Sequence, residues 1–435
     1  MGLSRPSALR GAWTTDRRVA VAVIAAAVAA TAVKLYLAAT TSGTNDIVYW
    51  TQFAAGVREF GPIGIYGEAF EAPYNHPPLA GWFLELVNLG QRAGLGLPLL
   101  IRAPACLADA MTCWLVFRLL NERSSTLGAG AAAVGLVWSP ALLVISGFHG
   151  NTDPVFVALT VASFFLLARR GRSLASGVCL GLAVSIKLVP VVAVPWMMLL
   201  AYRRGAAALV RFAIGGALVF ALLWVPVLVL NGGPFLESVV GYRGIWLREW
   251  GLAELVEQAG YPRLDVWLNA HGSWVVAAAA MVPLALTPLR RPHEEAVGLG
   301  MTLVTMLVFT PAFGMQYLTW ALAAAYLVSI RTGWTYNVAA SLLVLSVYSL
   351  WSGGGPPWRW EQAWAVPFTL GQHMLMAVAW ACLLLNWLDG IYPATNQSRR
   401  AQGDHCDEHQ RNASGHRHRG LQRREHAGQN ARPDT

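Results

Sequence analysis

Apolar runs of about 20 residues recur along this chain, and that is the length a helix needs to cross the hydrocarbon core of a bilayer. Lipid offers no hydrogen-bond partners to the backbone, so runs of this kind must satisfy their own N–H and C=O groups as helices. Composition points the same way, with 55% of the 435 residues hydrophobic, 13% charged and 19 Trp. In a soluble protein the net charge of +9 would invite a nucleic-acid reading. Here the arginines sit in short clusters between apolar runs, which is a topology signal, and nucleic acid is not an expected partner. The expected fold class is an all-α polytopic membrane protein.

Placing Arg5, Arg10, Arg17 and Arg18 in the cytoplasm sends the first run, Val19 to Ala39, outward as a retained helix. Pro77 to Gly90 is short and amphipathic, with Leu79, Trp82, Phe83, Leu86 and Val87 on one side and Glu85 and Asn88 on the other. It is expected to lie in the outer interface. The later runs then alternate so that Arg118, Arg123, Arg169, Arg170, Arg172, Arg203, Arg204, Arg290, Arg291 and Arg331 all fall inside. The result is about 12 spans, with outer loops over residues 40–96 and 231–273 and both chain ends in the cytoplasm. Residues 1–18 form the cytoplasmic N-terminus, 19–393 the membrane domain and 394–435 a polar, disordered cytoplasmic tail.

Cys106, Cys113, Cys179 and Cys382 lie in apolar runs and Cys406 in the tail, with no spacing that suggests disulfides or zinc. The unusual polar residues instead gather on the outer side of the threaded chain. Asp46 follows the first span, and His76 opens the interfacial segment. His149 and Asp153 stand in the turn Phe148-His149-Gly150-Asn151-Thr152-Asp153-Pro154, and Lys187 ends a short span. Tyr242, Arg243 and Arg248 lie in the long loop, and Gln316 and Tyr317 in a late turn.

An acid such as Asp46 could take the proton of a hydroxyl as that hydroxyl attacks a sugar carbon. Lys187 could hold a phosphate as a point charge, with Arg243 or Arg248 clamping it. Each residue also has a structural reading. Asp46 could cap a helix, Lys187 could reach to the headgroups, and His149 and Asp153 could cap the next helix. Arg102 and Asp109, seven apart, could pair, and Gln316 and Tyr317 could be interfacial.

The order of these motifs resembles the GT-C superfamily of membrane glycosyltransferases. It runs from the first-loop acid through His-Pro-Pro, Arg and Asp in the second span, the HGNTD turn and Ile-Lys-Leu-Val-Pro to Gly-Met-Gln-Tyr-Leu-Thr-Trp. It is most similar to bacterial polyprenyl-phosphate-mannose-dependent mannosyltransferases, over about residues 19 to 388. The resemblance implies Asp46 as general base, Lys187 near the donor phosphate, and His76, His149, Asp153, Gln316 and Tyr317 as substrate-binding positions. It also implies an inverting transfer of a hexose, mannose first, from a polyprenyl phosphate to a glycolipid or glycan on the outer face of the cytoplasmic membrane, in a GT-C-type bundle. Some relatives have an acidic metal-binding motif at the HGNTD turn. Here a single acid stands there, so neither a metal nor another cofactor is expected. A secondary transporter or flippase of a lipid-linked sugar is the alternative, for which internal repeats and polar residues near the midplane would be expected.

Overall fold

The computed structural model describes residues 7–242, 250–286, 292–356, 358, 360 and 367–391. Arg243, Arg248 and the tail expected over 394–435 lie outside the described residues. Among the described residues the chain is all-helical with no strand.

The helices are α1 (Ser7–Thr40), α2 (Asn45–Gly64), α3 (Leu79–Arg92), α4 (Leu97–Leu120), α5 (Thr126–Val137), α6 (Pro140–Val144), α7 (Asp153–Arg170) and α8 (Ser173–Ile186). They continue as α9 (Val194–Arg203), α10 (Ala206–Val219), α11 (Val225–Phe235), α12 (Gly251–Gln258), α13 (Pro262–Leu286), α14 (Pro292–Phe309), α15 (Leu318–Val328), α16 (Ile330–Trp351) and α17 (Leu370–Ile391). A π turn at Ile145–His149 follows α6, another at Phe220–Trp224 joins α10 to α11, and 3-10 turns at Val189–Ala193 and Met315–Tyr317 precede α9 and α15.

Most of the expected spans coincide with helix; the span expected from Trp274 to Leu289 reaches beyond the described residues after Leu286, and the one expected to end at Phe313 leaves the helix after Phe309. Among the described residues six stretches are both long and apolar enough to cross a membrane unaided: Thr15–Thr40, Leu97–Leu120, Thr126–His149, Ala206–Val240, Pro262–Leu286 and Leu370–Ile391. The chain is a multi-pass membrane protein. Ser173–Ile186, Val189–Arg203 and Met315–Val328 are apolar but shorter.

Three local expectations change. The region expected as a polar loop over 231–273 is largely helical. A π turn at Leu236–Val240 prolongs α11, α12 follows, and α13 begins at Pro262 rather than Trp274. The first loop is likewise a folded body. In it α2 packs against both α3 and α11 around Trp50, Phe53, Val57, Tyr66, Tyr74, Leu84, Trp224 and Phe235, and Asn231 Nδ2 donates to Ile63 O at 3.0 Å.

The third change lies in α3, which buries Ala80, Leu84, Val87 and Asn88 and exposes Trp82, Leu86 and Leu89. Trp82 and Leu86, from the expected apolar side, stay on the surface, while Asn88, expected opposite them with Glu85, is buried. Its amide instead donates to Ala54 O at 2.9 Å, a bond that repays burying a polar group against α2.

Small residues let other helices approach closely. A Cβ at Gly177 of α8 would meet Phe212 O of α10 at 2.0 Å, and one at Gly215 would meet Leu174 O at 2.2 Å. At the arginine-rich end of α7, Arg169 pairs with Glu122 (2.6 Å) and Glu295 (3.1 Å), and Glu295 also takes Arg204 (3.0 Å). The other end of α7 opens on Asp153, roughly 27 Å away for 18 helical residues.

Candidate active site

The site is organised by the turn that carries His149 to Asp153. The π turn ends at His149, and Gly150 reverses the chain at φ 95°, where a side chain would be strained and its Cβ would meet Ile47 at 2.5 Å. Thr44 Oγ1 donates to His149 O at 2.8 Å, and Trp50 Nε1 donates to Gly150 O at 2.9 Å. The first turn of α2 is thereby stitched to the HGNTD turn.

Thr44 is the N-cap of α2, its hydroxyl accepting from the Asp46 N–H at 3.4 Å. Asp46 is therefore not the cap and its carboxylate is left for another partner, in the first helical turn where the backbone dipoles favour negative charge. Behind both turns Arg102, fully buried, donates to Thr41 Oγ1 (2.9 Å), Thr41 O (3.0 Å) and Gly147 O (3.0 Å). The expected Arg102–Asp109 pair does not form. Asp109 accepts from Lys34 at 2.6 Å instead, because both point into the same helix contact while Arg102 reaches toward the chain reversal.

Two charged heads face out of this frame, each held from behind by a buried partner. Asp46 Oδ2 lies 3.0 Å from His149 Nε2, with side-chain exposure of 30% for Asp46 and 9% for His149. Lys187, at the extended C-cap of α8, donates to Asp153 Oδ1 at 2.8 Å and Oδ2 at 3.0 Å, with exposure of 24% against 3%. The accessible members are Asp46 and Lys187. Trp320 Nε1 also donates to Asp153 Oδ2 at 2.6 Å. The Lys187 ammonium rests over the rings of Tyr317 (4.8 Å) and Trp320 (4.9 Å), which stack on one another at 3.9 Å. Gln316 lies beside them, its side-chain amide against Gly314 and its backbone carbonyl accepting from the Thr319 hydroxyl.

His76 stacks on Trp50 at 4.5 Å, and its carbonyl accepts from Tyr66 at 2.8 Å. Burial, and then the positive charge of Lys187, push its imidazole down to about 3 against the opposing pull of Asp46. It is thus a neutral ring that senses both charged heads. Tyr242 joins the same wall. Burial raises its phenol, a hydrogen bond with Asn75 works against that, and the Asp46 charge adds to the rise.

Of the residues expected from sequence, Asp46, His76, His149, Asp153, Lys187 and Tyr317 converge. Gln316 reaches the group only through its neighbour. Arg243 and Arg248 fall outside the described residues. Sequence reasoning missed Tyr348, whose hydroxyl is bonded to His149 Nδ1, and the roles of Trp50 and Trp320. It also missed Asn151, whose Oδ1 accepts from Asp153 N while Nδ2 is buried with no partner among the described residues. A signal for Tyr348 existed: a tyrosine in an apolar span needs a partner for its hydroxyl.

The family model for Glycosyltransferase family 87 matches residues 74–311. The match includes His76, His149, Asp153 and Lys187 and leaves Asp46, Tyr317 and Tyr348 to either side. A search of curated proteins finds no match to the chain.

Proposed function

Because the chain belongs to glycosyltransferase family 87, a GT-C-type membrane glycosyltransferase family, we propose that the site carrying Asp46 and Lys187 transfers a hexose, mannose first, from a polyprenyl phosphate to a glycolipid or glycan. The observation that carries this reading is the pairing of an accessible carboxylate and an accessible ammonium, each anchored by the same five-residue turn through His149 and Asp153.

The reaction needs a base, a stabiliser for the departing phosphate and a site open to lipid. Asp46 takes the proton from the acceptor hydroxyl. The hydroxyl oxygen attacks the anomeric carbon, and the bond from that carbon to the phosphate oxygen breaks. The polyprenyl phosphate leaves with the electron pair, facing Lys187. One displacement of this kind inverts the anomeric centre and requires neither an enzyme nucleophile nor a cofactor.

His149 and Asp153 act as anchors for the two working groups, while His76, Tyr317 and Gln316 line the sugar. Arg243 and Arg248 are proposed as further phosphate ligands. The membrane domain is read as residues 19–393, with about 12 spans. Both ends, including the tail 394–435, are assigned to the cytoplasm and the site to the outer face of the cytoplasmic membrane. What supports this sidedness is the arginine distribution and the separation of Asp153 from Arg170 along α7.

The test is transfer by purified protein in lipid nanodiscs, given labelled polyprenyl-phosphate-mannose and, separately, polyprenyl-phosphate-glucose with membrane glycolipid acceptors. Transfer from one donor and its loss in Asp46→Asn are expected. Full transfer by a folded Asp46→Asn protein would remove Asp46 as the base. Movement of the lipid-linked sugar across proteoliposomes with no transfer would favour a flippase.

A further inference from the structure

We propose that Tyr348 is a positioning residue for this reaction, acting through His149 to fix which oxygen of Asp46 is free to take a proton. The proposal rests on the reading of Asp46 as base.

A carboxylate only accepts hydrogen bonds, so the Asp46 oxygen at 3.0 Å requires a hydrogen on His149 Nε2. Nδ1 then carries either a lone pair or a second hydrogen, and the hydroxyl of Tyr348 is bonded to it. Tyr348 is fully buried and His149 is 7% exposed. Were Nδ1 protonated, the phenol hydrogen would be left in the interior without an acceptor, which is unfavourable. The network therefore assigns Tyr348 O–H as donor to Nδ1 and Nε2–H as donor to Asp46, with a neutral ring between.

Two consequences follow from that assignment. Asp46 Oδ2 already accepts from His149, which makes Oδ1 the less encumbered oxygen for the acceptor hydroxyl. The imidazole cannot change tautomer without losing its bond to Asp46 and leaving the Tyr348 phenol hydrogen without an acceptor. With phenylalanine at 348, the other tautomer becomes accessible and would turn a lone pair toward the carboxylate. Packing would change little, because the Tyr348 ring is held by Phe148 (6.2 Å) and Trp358 (5.8 Å), contacts that phenylalanine keeps.

The experiment is a double-mutant cycle in the nanodisc transfer assay. Glutamine at 149 can present an N–H to Asp46 without any tautomer to select. Tyr348→Phe alone is expected to lower kcat about 10-fold or more with KM nearly unchanged. His149→Gln is expected to retain part of the activity, and adding Tyr348→Phe to it should cost nothing further. Rates are taken per folded molecule, with thermal unfolding measured for each variant. A merely structural tyrosine would give losses that add across the cycle, and that result, or an unchanged kcat in Tyr348→Phe, overturns the proposal. Asp46→Asn is run alongside. If it is inactive while the cycle is additive, only the role of Tyr348 fails. If it is fully active, the base assignment fails and takes the proposal with it.

Discussion

Lys34 of α1 and Asp109 of α4 form an ion pair of 2.6 Å with side-chain exposures of 0% and 3%, enclosed where the two helices cross. Removing one partner strands the other charge away from water, whereas replacing both with apolar groups of similar size strands neither. Lys34→Met is expected to destabilise the protein by about 3–5 kcal/mol. The double variant Lys34→Met with Asp109→Leu should recover most of that loss. Thermal unfolding in detergent checks both, and equal damage from the single and double variants would contradict the account.

The Lys187–Asp153 pair differs because one member is accessible. Lys187→Met should lower transfer by roughly 10-fold or more, through loss of the charge facing the leaving phosphate. It should also lower stability, since Asp153 is then buried without its counter-charge. Adding Asp153→Asn is expected to restore thermal stability and leave transfer low. Joint recovery of stability and transfer would show Lys187 to be structural.

Arg102 makes its bonds as a planar fork to backbone oxygens on two segments, Thr41 and Gly147. Lysine has the charge but not the fork. Arg102→Lys is expected to cost about 3 kcal/mol of stability and to reduce transfer even where the protein remains folded, because the spacing between the Asp46 and His149 turns is no longer held. Activity assayed well below the unfolding temperature separates the two effects.

His76 ties stability to pH. Its imidazole is held at about 3 when folded, against 6.5 ordinarily. Between those values the unfolded chain binds a proton that the folded chain does not. Stability from this group is therefore full above pH 6.5 and is lost as pH falls through that window toward 3. Unfolding temperatures measured from pH 7 to 4 should fall less steeply for His76→Asn than for the unaltered protein. Parallel curves would refute the assignment.

Much of the architecture was legible from periodicity. Apolar runs mark helices because the backbone must bond to itself in lipid, and most of the expected spans are helical over the described residues. Asp46, His149, Asp153 and Lys187 were also legible, as polar residues at the ends of apolar runs. Their partners were harder to read. Asp109 seemed matched to Arg102 on the same helix, yet its counter-charge comes from Lys34, 75 positions earlier. The burial of Asn88 was missed for a related reason: hydrophobicity cannot say that its amide will find Ala54 O.

By itself the sequence determined the class of protein, the position of most of its apolar helices and a set of charged residues near one end of them, since these depend on local composition and on the absence of water in the bilayer core. Only the tertiary structure decided that His149 would serve Asp46, that Asp153 would serve Lys187, and that Tyr348, 199 positions from His149, would complete the first of these chains. Helical periodicity specifies which side of a helix is polar. Which partner meets that side depends on how distant helices pack, and a hydrogen bond of about 3 Å exists only once that packing has formed.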